Sequence, residues 1–242
     1  MSSTILAYRS LDDSDSVIST SPILFLEHMA RLVDSGAKVV PLEQVQAIPG
    51  SVALTFDGGF ANFLDYGLPV LQQYGFPATV FIVSAFCGDR NRWDRKRRDV
   101  PKLPLMGWDE LATLPRPLIQ VGAQSVTHPH LPSLKREAVI VELDACRQAI
   151  AHVTGTESTS FSYPFGATSP MIRQLVAERF QVACGERLDY VETDSDRLEL
   201  PRIDTFSLKD PILLSETIAG ERRWQLGIRR MFREVRSILR SA

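Results

Sequence analysis

Residues 52–60 read VALTFDGGF, a short apolar run that breaks into Asp57-Gly58-Gly59. The run from Val52 to Phe56 is rich in β-forming residues and too short for an independent helix, and the two glycines mark a turn. This pattern predicts a buried strand with a carboxylate at its carboxyl end, where α/β proteins place their binding or catalytic loops. Taken alone, Asp-Gly-Gly is first of all a turn signature.

Further apolar runs alternate with amphipathic stretches, as expected of parallel βα units. We predict strands at Ile5–Tyr8, Val39–Leu42, Val52–Phe56, Ala78–Val83, Ile119–Ala123, Ser160–Tyr163, Val182–Cys184 and Leu198–Ile203. Ser21 followed by Pro22 predicts the start of the first helix. An apolar stripe that stops at Gly155 predicts the end of a second, core-packed helix.

Three more polar segments each follow a predicted strand: Arg9-Ser10, residues 124–130 (QSVTHPH) and residues 163–166 (YPFG). If the strands are parallel, these segments and Asp57 converge on one pocket. Each also has an ordinary explanation. The spacing of His128 and His130 is not by itself a metal-site pattern, and 164–166 could be only a turn.

Composition narrows the class of protein. The chain has 242 residues, 44% of them hydrophobic, and a formal net charge of -2, so we expect a single domain over 1–242 and no nucleic-acid binding. Its three cysteines lack a Cys-x-x-Cys pair, which predicts reduced thiols. We find no signal peptide or transmembrane segment and expect a cytoplasmic location.

Two segments are strongly basic. Residues 88–104 contain five arginines and two lysines, and we predict a solvated loop, although an acidic ligand could bind there. Residues 221–242 predict a basic amphipathic helix. Packing of its apolar face on the domain is one interpretation; peripheral contact with an anionic membrane or with a partner protein is the other.

Read in order, these segments resemble the polysaccharide deacetylases, carbohydrate esterase family 4. The segments that carry the likeness are ILAYRSL, SPILFLEHMARLVDSGAKVVPL, VALTFDGGFANFLDYGLPVLQQYGFPATVFIV, NRWD, LMGWDEL, VGAQSVTHPHL, FSYPFG and LPRI. The resemblance spans nearly the whole chain and implies an α/β fold, a distorted (β/α)7 barrel.

The resemblance also implies a chemistry, in which a metal-activated water attacks an N-acetyl group of an amino sugar. Asp57 aligns with the general base of that family. The metal-binding aspartate aligns with Gly58 and the first metal-binding histidine with Gln124, so His128 is the only retained ligand position. We therefore expect no tightly held metal, and zinc only if non-standard ligands complete the site.

Other departures from the family pattern concern its catalytic general acid and the residues at the end of the first strand. Many relatives have Tyr-His where this chain has Tyr8-Arg9, numerous relatives have an arginine at the position of Ser162, and no histidine follows His152 to act as the general acid. We hypothesise that Arg9, a permanent cation, partly replaces the charge of the missing metal.

Two functions remain open. The first is a hydrolase acting on a carbon-nitrogen bond of an amino sugar or related small substrate, with Asp57, His128 and Arg9 as catalytic residues. The second is a catalytically inactive protein that binds a glycan or a partner protein, with Trp93 and Trp108 available to stack on sugar rings. The predicted substrate-binding residues are Gln124, Tyr163, Pro164, Phe165, Gly166, Trp108 and Arg202.

Overall fold

A computed structural model describes residues 2–94 and 99–231 of the protein. Nine strands are present in this part of the chain: β1 (Thr4–Tyr8), β2 (Ser10–Leu11), β3 (Ser19–Thr20), β4 (Val52–Gly58), β5 (Ala78–Ile82), β6 (Ile119–Ala123), β7 (Ser160–Ser162), β8 (Val182–Cys184) and β9 (Ile203–Asp204). The α-helices are α1 (Pro22–Asp34), α2 (Leu68–Tyr74), α3 (Trp108–Thr113), α4 (Arg136–Thr154), α5 (Pro170–Ala177) and α6 (Pro211–Ile218).

The helix ends that the sequence predicts are confirmed. Ser21 precedes α1, and its Oγ accepts a hydrogen bond from the N–H of Leu24 at 3.2 Å. Gly155 ends α4 with a φ of 69°, a conformation that favours glycine. Most of the predicted α4 stripe is buried, so this helix packs as expected.

Seven strands form one parallel sheet in the order β8-β7-β6-β5-β4-β1-β9. The sheet curls, because an isolated parallel bridge joins Leu200 to Cys184 in β8, while Ile203 in β9 pairs with Leu6 in β1. Residues 200–204 therefore contact both edges of the sheet. This is the distorted barrel that the resemblance implies, and it gathers the carboxyl ends of the strands on one face.

Two of the expected strands are wrong in extent. Val39 forms only a bridge to Val52, and a 3-10 turn begins at Leu42. In the predicted strand Leu198–Ile203, regular pairing starts only at Ile203. Near Val39 the backbone makes two hydrogen bonds to Val52 and then turns away, whereas Leu200 bonds to Ala183 and Gly185 before the chain reaches β1 at Ile203. An apolar pattern alone does not distinguish such short contacts from a strand.

The main core lies between the sheet and its helices. All five residues of β1 and all seven of β4 are buried, so β4 carries Asp57 through the interior of the molecule. In the described part of the chain no helix is both long and apolar enough to cross a bilayer. Residues 223–231 are helical, and the rest of the predicted basic helix, 232–242, lies outside the described residues, as do 95–98 of the predicted loop.

Candidate functional site

Asp57 lies near the carboxyl end of β4, and only 5% of its surface is exposed. The guanidinium of Arg202 binds its carboxylate in a two-pronged arrangement. Nη1 donates to Oδ1 at 2.7 Å and Nη2 donates to Oδ2 at 2.9 Å. Arg202 reaches this position because it belongs to the segment that joins the two edges of the sheet, where its Nε donates to the carbonyl of Gly185.

Two neutral side chains extend this ion pair. The hydroxyl of Ser162 donates to Oδ1 of Asp57 at 3.3 Å and accepts from Nη2 of Arg202 at 3.1 Å. Gln124 donates from Nε2 to the Ser162 hydroxyl at 3.4 Å, and its Oε1 accepts the backbone N–H of Gly58 at 3.0 Å. We call Asp57, Arg202, Ser162 and Gln124 the charged network.

The charged network sets the protonation of Asp57. Burial is the largest single influence and raises the pKa of this carboxyl, but the charge and hydrogen bonds of Arg202, the charge of Arg9 and the Ser162 hydroxyl together outweigh it, and the net result is a pKa below the ordinary value. Asp57 is therefore ionised at neutral pH. A carboxylate held in this way is a weak proton acceptor, because protonation would break its contacts with Arg202.

His128 lies beside the charged network but belongs to a different environment. Its ring centroid is 5.1 Å from that of Trp93 and 4.6 Å from that of Phe165. The backbone turns to bring these rings together, with φ values of 57° at His128 and 58° at Phe165. We call Trp93, His128 and Phe165 the aromatic group.

Burial among these rings lowers the pKa of His128 to about 4, and its imidazole is therefore neutral at pH 7. Nδ1 is buried and has no hydrogen-bond partner among the described residues. Phe165 in contrast is 48% exposed, so the aromatic group runs from the interior to the surface of the cleft.

Arg9 follows β1 on the same face of the sheet. Its Nη1 donates to Asp204 at 2.8 Å, and its Nη2 lies 3.4 Å from Glu186. Arg9 is close enough to Asp57 and His128 for its charge to affect the pKa of both. The three predicted catalytic residues thus share one cleft, but the guanidinium of Arg9 already has carboxylate partners.

The predicted substrate-binding residues fall into three sets. Gln124 and Arg202 are buried in the charged network, and Phe165 faces the cleft. Tyr163 is buried and donates its hydroxyl to the carbonyl of Leu198, while Trp108 begins α3 and packs against the main core. Their predicted contact with a substrate stays a prediction.

The remaining two predicted residues shape the turn after β7. Pro164 is buried, and Gly166 has a φ of 63°. A Cβ at Gly166 would lie 2.7 Å from the side chain of Glu186, so glycine allows this turn to approach the residue that pairs with Arg9. These residues position Phe165.

Sequence reasoning missed three parts of the site. It noted Ser162 only as a departure from the family pattern, and it gave Asp204 and Glu186 no role. Ser162 lies in a predicted strand, close to its carboxyl end, a signal that could have placed it in the cleft. The carboxylate partners of Arg9 lie 177 and 195 residues away in sequence, and no local pattern identifies such pairs.

The side chains present do not match the ligand set of a divalent metal. Gly58 has no side chain to offer, and the carbonyl oxygen of Gln124 is occupied by the Gly58 N–H. Within 2–94 and 99–231, no three His, Cys, Asp or Glu side chains form a group that could hold an ion. A catalytic zinc site uses about three such ligands, with water or substrate in the fourth position.

A family model described as polysaccharide deacetylase matches residues 44–180, more than half of the chain. Among solved structures, this chain is similar to the Streptococcus pyogenes deacetylase PplD in complex with acetate, with a TM-score of 0.76 and 16% identity over 90% of this chain and 98% of that one. It is also similar to IcaB from Ammonifex degensii, with a TM-score of 0.72 and 16% identity over 89% and 98%.

A third similar structure is the putative polysaccharide deacetylase BA0330 from Bacillus anthracis, with a TM-score of 0.76 and 17% identity over 90% of this chain and 69% of that one. Among curated proteins, a gellan lyase from Bacillus sp is 25% identical over 156 residues. That match covers 60% of this chain but only 5% of the length of the lyase. The structural likenesses establish the fold.

Proposed function

We propose a function from the premise that this chain belongs to the polysaccharide deacetylase family: its cleft binds a glycan that carries N-acetylated amino sugars, and does so without a resident divalent metal. The family supplies the class of ligand. The geometry of the site favours binding of that ligand over its metal-assisted hydrolysis.

The aromatic group carries this proposal. Phe165 presents a half-exposed ring at the cleft, and His128 and Trp93 continue the apolar surface inward. Flat aromatic surfaces with a polar neighbour suit pyranose rings, whose faces are apolar and whose edges carry hydroxyl groups. The adjoining charged network offers Gln124 and Ser162 as polar neighbours, although both already have partners within the protein.

The state of Asp57 also favours recognition. A general base works best when its pKa lies near the operating pH, whereas the hydrogen bonds and charge of Arg202 help to hold the pKa of Asp57 below its ordinary value. The one retained metal-ligand position, His128, lies between aromatic rings rather than beside a second free donor. Among the described residues, the site therefore lacks a strong base and an ion-binding set, while Phe165 presents an exposed aromatic ring.

One observation favours a second candidate, hydrolysis of a carbon-nitrogen bond without a metal. Asp57, His128 and Arg9 are near enough to influence one another's charge, which is the arrangement that acid-base chemistry needs. In that case Asp57 would activate water, and Arg9 would stabilise the negative charge that develops on the acyl oxygen.

Calorimetric titration with N-acetylated chito-oligosaccharides, together with an assay for released acetate, separates the two candidates. We expect binding with no acetate release, either with or without added zinc or cobalt. The fully deacetylated oligomer is the control ligand, which tests whether binding depends on the N-acetyl group. Trp224→Ala is the control variant, which removes an exposed tryptophan away from the site. Trp224 is 76% exposed, and its neighbour Arg223 contacts Ser2 at the opposite, amino end of β1.

Each result has a distinct meaning. Acetate release without metal that is abolished by Asp57→Asn would establish the second candidate in place of the first. Acetate release that requires added metal would contradict both. The absence of binding to any acetylated oligomer would overturn the proposal of glycan recognition.

A further inference from the structure

We infer that the indole of Trp93, together with the ring of Phe60, fills the space that a metal-ligating side chain at position 58 would need, so that restoring the family's ligands does not by itself restore a metal site. This inference goes beyond the proposed function, because it concerns metal binding at the aromatic group rather than recognition of a glycan. It rests on contacts at Gly58 and His128 that no sequence motif specifies.

The surroundings of Gly58 are closed by aromatic rings. A Cβ built on this glycine would lie 2.9 Å from Cε2 of Phe60 and 3.4 Å from Cζ2 of Trp93. The first distance is shorter than real contacts allow, and the second is tight. An aspartate here would extend a carboxylate beyond that Cβ, further into the space between the two rings.

The backbone at this position adds a second obstacle. Gly58 has a φ of 92°, a conformation that residues with a Cβ seldom adopt. Its N–H is also fixed by Gln124, the residue at the other lost ligand position. A single substitution at either position therefore disturbs the contact between them.

Trp93 is the ring that contacts two positions of the family's ligand set. Its indole contacts the Cβ position of Gly58 on one side and packs 5.1 Å from the ring of His128 on another, whereas Phe60 closes the space at Gly58. Phe86 supports the indole at a centroid distance of 5.5 Å. The indole thus contacts both of the positions from which a cation would be held.

Zinc binding to purified variants, measured by calorimetry with the metal alone, tests this inference independently of glycan binding and of activity. The ligand-restored variant is Gly58→Asp with Gln124→His, and the test variant adds Trp93→Ala. We expect the ligand-restored variant to bind zinc no better than the parent. Removal of the indole should tighten binding by at least about tenfold, a readily measured change in free energy. Trp224→Ala in the same background is the matched control and should have no such effect.

Equal zinc affinity in the two variants, whether tight or undetectable, would overturn the inference. If the variants that carry Gly58→Asp fail to fold, a stability cycle between Gly58→Ala and Trp93→Ala tests the same contact. The strain from the positive φ is common to both backgrounds and cancels. The urea midpoint should fall less for Gly58→Ala when Trp93 is already alanine, and an equal fall in both backgrounds would refute the contact.

Discussion

The two sides of the cleft are built on opposite physical principles. In the charged network, both carboxylate oxygens of Asp57 have partners, and Arg202 is 3% exposed. In the aromatic group, Nδ1 of His128 is buried and has no partner among the described residues, and the outermost ring is half exposed. One side is therefore paired within the protein, so that breaking it should destabilise the fold, while the other presents an aromatic ring to solvent.

The largest expected effect follows from separating the ion pair of the charged network. Arg202→Met keeps much of the length of the side chain but leaves Asp57 as a buried, unpaired charge. Breaking one partner of a buried pair costs about 3–5 kcal/mol, and we expect a loss of that size in urea unfolding.

Arg173→Met is the matched control, because Arg173 forms surface pairs with Asp196 and Glu199 and its side chain is 41% exposed. Its loss should cost less than about 1 kcal/mol. If both variants lost the same small amount, the charged network would not be the stabilising side.

The second prediction concerns His128 and the dependence of stability on pH. Its pKa falls from an ordinary value of 6.5 to about 4 on folding, so the unfolded chain binds the proton first as the pH is lowered. This contribution to stability is complete above pH 6.5 and is lost between pH 6.5 and pH 4, to an extent of roughly 3 kcal/mol.

His128→Phe keeps an aromatic ring in place and should remove this part of the acid sensitivity, as measured by urea unfolding at a series of pH values. A second buried histidine, His28, has the same lowered pKa and should maintain the remainder of the slope. The exposed His152 on α4 provides the matched control variant, His152→Gln. An unaltered profile in His128→Phe would show that this imidazole is not held neutral.

His28 shows what a fully partnered histidine does in this fold. Its Nε2 lies 3.0 Å from the carbonyl of Leu208, which only accepts, so Nε2 carries the proton. Its Nδ1 therefore accepts from the hydroxyl of Tyr8, also at 3.0 Å. Unlike His128, this histidine ties α1 to β1, and both of its ring nitrogens are occupied.

A third, smaller effect should appear in ligand binding rather than in stability. Phe165→Ala removes the exposed ring of the aromatic group, and we expect affinity for N-acetylated chito-oligosaccharides to fall by roughly tenfold, or about 1.4 kcal/mol. Unfolding should change little, because the ring is half exposed. Unchanged affinity would mean that the glycan does not contact this side of the cleft.

The smallest effect is expected at Arg9, which is ion-paired like the charged network but partly exposed to solvent like the aromatic group. Its pairs with Asp204 and Glu186 are partly exposed to solvent, so Arg9→Gln should lower the free energy of unfolding by less than about 1 kcal/mol. The same variant bears on the second candidate function, since acetate release, if present, should fall with it. A loss of stability as large as that of Arg202→Met would place Arg9 in the stabilising group.

The sequence predicts the parts of the site that depend on strand order. Asp57, Gln124 and Tyr163 each sit at the end of an apolar run, and parallel strands bring such ends to one face. The partner of Asp57 could not be found in this way. Arg202 is 145 residues distant, and its placement depends on how the last segment joins the two edges of the sheet. The closure of the space at Gly58 likewise depends on ring positions that have no sequence period.

The position of Arg202 links the cleft to the way the sheet closes. Arg202 lies between Leu200, which bridges to β8, and Ile203, which pairs with β1, so the last seam of the curled sheet and the pairing of Asp57 depend on the same short segment. A chain shortened before residue 200 would keep most of its strands yet leave the Asp57 carboxylate without Arg202, beneath an open edge of the sheet. Fluctuations that part this seam will therefore also separate Asp57 from Arg202.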